Sequence, residues 1–299
     1  MSIKIPFILL VSLLMAGPVA AETSYQPFVL ASVNDAGLDE QTEATTSALE
    51  QAGFMVIGLY SPVENSRVIV VTSQNLMAVA ALSEKGGYGA GQRISVSLRD
   101  DKTEVAFINP LYIQHAYRME GDLQSVYDQL SQVLGNIETF GAKKKMTAKK
   151  LAKYHYMIAM QRFDDPSELG SFESHEAALA AVEKGLAVEG DALTQVYRID
   201  IPGRDQSVFG VGMKATNDEE KDIDSTFQMS IVDFEGYSKV AYFPYEVLVD
   251  GKEVEALHMR FRMAVHFPDL KMTGKHGFTK LMSSPGATQD ALKDMVSGE

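Results

Sequence analysis

The residues of this chain that could carry chemistry are six His and fifteen Met, with scattered Arg and Tyr, because Cys is absent altogether. Without Cys there is no thiol nucleophile, disulfide, thiolate metal site or Cys-attached haem. His with Met remains a donor set for copper or for an axial haem bond. The densest candidate cluster is His258, Met259, Met263, His266, Met272 and His276. Strict alternation from Leu257 to Phe267 reads as a strand. Leu257, Met259, Phe261, Met263, Val265 and Phe267 fall on its core face, and His258, Arg260, Arg262, Ala264 and His266 on the other. On that strand His258 and His266 stand about 26 Å apart and cannot share an ion, so the Met are read as core filler. A smaller candidate lies in Tyr154–Met157, where His155 and Met157 share one strand face within reach of His115. His115, His155, Met157 and His266 are the ligand set of a copper- or haem-handling alternative.

A second group suits binding rather than redox chemistry. Read with period two, Tyr112, Gln114, Ala116 and Arg118 form one polar face beside Asn109 and Arg93, and Arg260 with Arg262 occupy a comparable late strand. Guanidinium forks, amides and aromatic edges suit a small anionic or polar ligand. Catalytic patterns are missing: there is no Gly-x-Ser-x-Gly elbow and no His-Glu-x-x-His. Asp164 and Asp165 are neighbours in a turn, where capping explains them. The run Gly86–Gly91 lacks the preceding strand and following helix of a dinucleotide loop, so its glycines are read as a tight turn beside Tyr88.

Residues 1–21 carry Lys4, an apolar run from Ile5 to Ala16 and the small residues Val19, Ala20 and Ala21, the pattern of a secretory signal peptide cleaved after Ala21. The expected mature protein is periplasmic or secreted and not stably inserted in the membrane. A net charge of -13 makes nucleic acid an unsuitable partner. Charge is reversed locally: six Lys fall in the eleven residues Lys143–Lys153, read as a solvated linker or as a contact for an acidic surface or anionic partner.

With 299 residues, two units are expected: 22–140, a Lys-rich linker at 141–153, and 154–299. The same element order can be read twice. The first copy runs from a strand at Tyr25–Val33 through a helix capped by Asp39, strands at Phe54–Tyr60 and Arg67–Val71 and a helix at Gln74–Glu84. It ends with a hairpin turning at Arg99–Lys102 and a helix at Asp122–Leu134. The second has a strand at Tyr154–Phe163 and a helix capped by Ser174, then strands at Leu193–Ile201 and Ser207–Met213. A hairpin at Phe227–Val232 and Lys239–Phe243 and a helix at Pro285–Val296 close it. The implied fold class is α+β: two related domains, each an antiparallel sheet with helices packed on one face.

Within the first copy, a helix ending in Leu49-Glu50-Gln51-Ala52-Gly53-Phe54 leads to a strand and a hairpin of Arg93–Leu98 with Thr103–Ile108, closing on Asn109-Pro110. In these features Glu43–Pro110 resembles the bacterial domain of unknown function 302 family. It departs at Thr72–Asn75, where a Gly-Asn-Pro turn is common in that family. The resemblance implies a compact α+β fold and carries no catalytic residue. The sequence therefore favours an exported, non-enzymatic binding or interaction protein whose partner is a small ligand or another periplasmic protein. A metal- or haem-handling protein is the alternative, and a hydrolase whose residues converge only in three dimensions comes third.

Overall fold

The computed structural model describes residues 23–298, so the signal-peptide expectation for 1–21 lies outside the described residues. The first half consists of β1 (Ser24–Tyr25), β2 (Phe28–Asn34), α1 (Leu38–Gln51), β3 (Met55–Tyr60), β4 (Ser66–Thr72), α2 (Gln74–Ala81), a 3-10 turn at Gly86–Gly89, β5 (Gln92–Arg99), β6 (Lys102–Ile108), α3 (Pro110–Ala116), α4 (Gln124–Leu134) and β7 (Glu138–Phe140). The Lys-rich joint holds β8 (Met146–Thr147), which pairs with β1, and α5 (Ala148–Leu151). The second half has β9 (Ser167–Ser171), α6 (His175–Leu186), β10 (Leu193–Asp200), β11 (Gln206–Met213), a 3-10 segment at Asp218–Ile223, α7 (Ser225–Val232), a 3-10 turn at Val240–Tyr242, β12 (Tyr245–Asp250), β13 (Glu253–Ala256), α8 (Met259–His266), a 3-10 turn at Phe278–Leu281 and α9 (Ser284–Ser297).

Both main sheets are antiparallel and mixed with helices, as the α+β reading expects. Their strand orders are β3-β4-β5-β6-β2-β7 and β10-β11-β12-β13-β9. Apart from the added β7, the two orders are the same strand for strand. The irregularities repeat too. One bulge interrupts β3 between Val56 and Gly58 and β10 between Gln195 and Tyr197, and another lies between Leu30 and Ser32 of β2 and between Glu168 and Gly170 of β9. Since a bulge displaces pairing by one residue, matching bulges fix a residue-by-residue correspondence between halves. By that register Arg93 on β5, opposite Val70, corresponds to Glu246 on β12, opposite Gly210.

Helices α1 and α4 cover the outer face of the first sheet, and α6 and α9 that of the second. The inner faces turn toward each other. Here the halves exchange cover: the turn Gly86–Gly89 packs on β11 and β12, and the turn Val240–Tyr242 packs on β4, β5 and β6. Val68, Ile69, Val70 and Val71 are fully buried, as their unbroken apolar run requires. The β5–β6 hairpin closes at Asp100 and Asp101, both at positive φ, which matches the two-residue turn that strand twist favours.

Several expected elements differ. Leu257–Phe267 is not a strand but the helix α8; polar residues at 258, 262 and 266 recur every four positions, and burial all round the helix supplies the apolar residues between them. Leu111–Met119 contains α3, with Asn109 as N-cap and Pro110 in the first turn. Tyr154–Phe163 pairs with no strand, and β9 opens the second sheet instead. The expected hairpin at Phe227–Phe243 is helix α7, capped by Asp224, followed by a 3-10 turn. The real hairpin is β12–β13, turning at Gly251-Lys252 with Gly251 at φ 59°. Asp39 lies inside the first turn of α1, whose N-cap is Gly37.

Candidate functional site

Two places gather chemistry: a buried seam between the sheets and an open groove beside it. In the seam, Arg93 from β5 and Arg262 from α8 converge on Glu246 of β12. Arg93 Nη1 stands 2.8 Å from Glu246 Oε1 and Arg262 Nε 3.5 Å from Oε2, and none of the three side chains is more than 4% exposed. Arg262 Nη2 also donates to Tyr242 O (2.5 Å) and Pro244 O (2.6 Å), and its guanidinium lies over the rings of Tyr242 and Tyr245. Burial opposes its charge, but the surrounding tyrosines and Glu246 outweigh that cost and raise its pKa above the ordinary value.

His266 completes the cluster. Its Nδ1 is 2.8 Å from Arg262 O, which can only accept, so Nδ1 carries the proton and Nε2 accepts from Arg93 Nη2 at 3.3 Å. Burial, then the charges of Arg93 and Arg262, push its pKa well below the usual His value. The hydroxyls of Tyr117 and Tyr242 and Arg93 Nε are buried without partners among the described residues. Burial pushes the Tyr117 phenol up to about 12. The seam is a polar lock between the halves and is closed to solvent.

The expected ligand residues divide accordingly. Arg93 and Arg262 converge on Glu246 at the seam, whereas Tyr112 is buried apart from them and donates its hydroxyl to Val265 O at 2.7 Å. Asn109 caps α3, accepting from Leu111 N and donating to Gln26 O. Arg118 is exposed, bonded to Ala152 O and Asp164. Arg260 lines a small apolar recess with Met160, Met263 and Phe278.

The His and Met of the metal reading stay apart. His115 packs against Tyr25, with burial lowering its pKa; His155 contacts Lys153 O; Met157 is exposed. His258 and His266 share a helix at about 12 Å along its axis, not an extended strand, but His258 caps that helix through Arg260 N. Among the described residues no group of three or more His, Asp or Glu is arranged to hold a metal. No His there bonds both a carboxylate and a hydroxyl, the arrangement a hydrolytic site would need.

The open groove was missed by sequence reasoning, because its walls come from three loops far apart in the chain. They are the end of β7 with Gly141–Lys143, the loop Val232–Lys239, and the segment Phe267–His276, which enclose about 770 Å³. The loops are fixed by their own bonds. Asp233, nearly buried, accepts from Arg99 Nη2, Lys239 N and Lys239 Nζ, so the second wall is tied to the first sheet's hairpin. In the third wall Phe278 N bonds Lys271 O and Thr279 N bonds Met272 O, while Asp269 receives Lys143 N across the groove at 2.5 Å.

The lining is aromatic and of mixed charge, with Glu138, Glu235 and Asp269 beside Lys143, Lys239, Lys271 and Lys275. Phe140 stacks on Phe28 and meets Tyr237 edge-on, and Phe234 stacks on His276 with centroids 4.0 Å apart. His276 Nδ1 is buried and without a partner among the described residues. Lys239 is satisfied by Asp233 and two carbonyls, whereas Lys143, Lys271 and Lys275 pair with no carboxylate among the described residues. The groove can therefore hold a flat or apolar body on aromatic rings and an anion near lysine heads. Compared with known proteins, the chain matches no family model, no curated sequence and no solved structure.

Proposed function

We propose that this chain is an exported, non-enzymatic binding protein, periplasmic or secreted, that seats a small anionic ligand in the groove between its halves. The observation that carries this reading is a groove whose aromatic walls bear three lysines without carboxylate partners, while Glu138 and Asp269 of the same lining accept from the Tyr237 hydroxyl and the Lys143 backbone, in a chain whose net charge is -13. Its volume lies within the range of small-molecule sites. Lysines held free in such an acidic protein leave a positive charge that a carboxylate or phosphate can complete. The buried Nδ1 of His276 adds a polar atom that could orient the ligand. The likeness of Glu43–Pro110 to the domain of unknown function 302 family enters this reading as an expectation of fold and supplies no ligand.

The test is isothermal titration with phenyl phosphate, benzoate and inorganic phosphate. An aromatic anion should bind, and Lys271→Glu with Lys275→Glu should weaken it about tenfold or more while the unfolding midpoint stays put, since both side chains are exposed. Equal binding by wild type and double variant, or binding of none of the three, sinks the assignment to this groove.

A further inference from the structure

The joint that connects the halves carries a further feature, which shares Lys143 with the groove. Between Lys143 and Arg162 there are seven Lys or Arg and no Asp or Glu, in a chain that is acidic overall. The end of this segment is a turn closed by Met160 N bonding to Met157 O at 3.0 Å, with Ala159 at φ 68°. At its corner Ile158 is 91% exposed, and Met157 beside it is 48% exposed. Isolated surface hydrophobics are ordinary, but an isoleucine held almost wholly in solvent by an anchored turn is not accounted for by the fold.

The turn is anchored on both sides. Tyr156 donates its hydroxyl to Leu270 O at 2.8 Å, and Met160 enters the apolar recess formed by Met263, Leu270 and Phe278. The flanking residues His155 and Arg162 line a concavity of about 540 Å³ with Arg118 and Lys153, so the apolar corner rises from a basic rim. Lys149 and Lys150 are exposed one turn earlier on α5. The nearest acids are engaged: Asp164 with Arg118, and Asp165 with the Arg162 backbone N–H. Among the described residues none of the six lysines or Arg162 pairs with a carboxylate.

We propose that the turn Met157–Met160 and its basic rim form a docking surface for an anionic lipid bilayer, with Ile158 entering the interfacial region and the lysines engaging headgroup phosphates. Charge alone would suit any acidic surface. An exposed apolar corner surrounded by cations is the pattern of interfacial membrane contact, where apolar burial and headgroup attraction act together. No helix among the described residues is long and apolar enough to cross a membrane, so the contact is with the surface.

The experiment is flotation of the chain from Glu22 onward with vesicles of phosphatidylcholine alone or mixed with phosphatidylglycerol. Wild type should bind the anionic vesicles at least about tenfold more tightly than the neutral ones and be released by about 0.5 M salt. Lys149→Glu with Lys150→Glu and Lys153→Glu should abolish binding, and Ile158→Asp should weaken it about tenfold. Both variants should keep the wild-type circular dichroism, because the substituted side chains are exposed. Equal binding to both vesicle types, or variants that float like wild type, overturns the proposal. So does a wild type that ignores vesicles yet is retained on immobilised polyglutamate through the same lysines, which would assign the surface to an acidic protein.

Discussion

Glu246→Gln tests the seam most directly. The substitution preserves size and one carbonyl oxygen but removes the carboxylate that stands between two buried guanidiniums. Neither cation can move away: Arg262 is held by Tyr242 O and Pro244 O, and Arg93 by its place in the centre of the sheet. Removing one member of a buried pair costs roughly 3–5 kcal/mol, and two stranded cations place this case toward the upper end. For a cooperative unit of this size that is a fall in unfolding midpoint of about 6–20 °C. Urea unfolding, followed by tyrosine emission because the chain has no Trp, would measure it.

The charge argument makes a sharper demand. Adding Arg93→Met to Glu246→Gln leaves one stranded cation instead of two, so the double variant should be more stable than Glu246→Gln by about 1–3 kcal/mol. If the two losses simply add, or if Glu246→Gln alone costs under about 1 kcal/mol, the seam is solvated and this reasoning is refuted.

Three further outcomes follow from the same structure. His266 is neutral when folded and its pKa is depressed, so the unfolded chain takes up a proton first as pH falls below about 6.5. Its contribution is complete above that pH and lost toward the lower folded pKa; His266→Gln should flatten the acid limb of stability by about 1.4 kcal/mol per pH unit in chemical denaturation. Gly86→Ala would drive its Cβ into the Ala80 carbonyl and should cost about 3 kcal/mol or more, whereas Gly87→Ala meets the movable end of Leu248 at 2.5 Å and should cost about 1 kcal/mol. Equal effects would contradict the packing of that loop. Burial pushes the phenols of Tyr117 and Tyr154 up to about 12, so stability should decline as pH rises above about 10, where the unfolded phenols ionise. Phenolate absorbance that completes near pH 10 with the fold intact would contradict it.

The α+β class and most first-half elements were legible because local signals agreed there: Asp100-Asp101 turns a hairpin, and Val68–Val71 is apolar without interruption. The second half misled where burial erased polarity contrast. In α8 Arg262 and His266 are buried polar groups, Arg262 on Tyr242, Pro244 and Glu246 and His266 on Arg93 of the other half, so the residues between them alternated by chance like a strand. The spacing of His258, Arg262 and His266 was the helical signal, and Gly251-Lys252 was the hairpin signal, both present in the sequence and outweighed by a longer period-two match. Of the candidate site residues, Arg93 and Arg262 both reach Glu246 in the seam, but a sequence read locally cannot tell a cleft from a seam. The groove had no local signature at all, since its three walls meet only after both sheets have packed.

The correspondence of Arg93 with Glu246 explains why the halves resemble each other in topology and not in residues. Positions that match by register and also touch each other must lie beside the pseudo-twofold axis, as β3 and β10 do, where a side chain on Gly58 would collide with Val196. In a symmetric dimer such a position holds the same residue twice, and an arginine there would face an arginine in a dry interior. Opposite charges at one axial position are possible only when the two halves are encoded separately. The exchanged turns obey the same logic: Gly86–Gly89 needs glycine to approach Leu248 and Gln206, whereas its counterpart Val240–Tyr242 fills the space over β5 with a tyrosine that carries Arg262 on its ring. One chain with two unlike halves can therefore bury a complementary ion pair on its axis, which no pair of identical subunits could do.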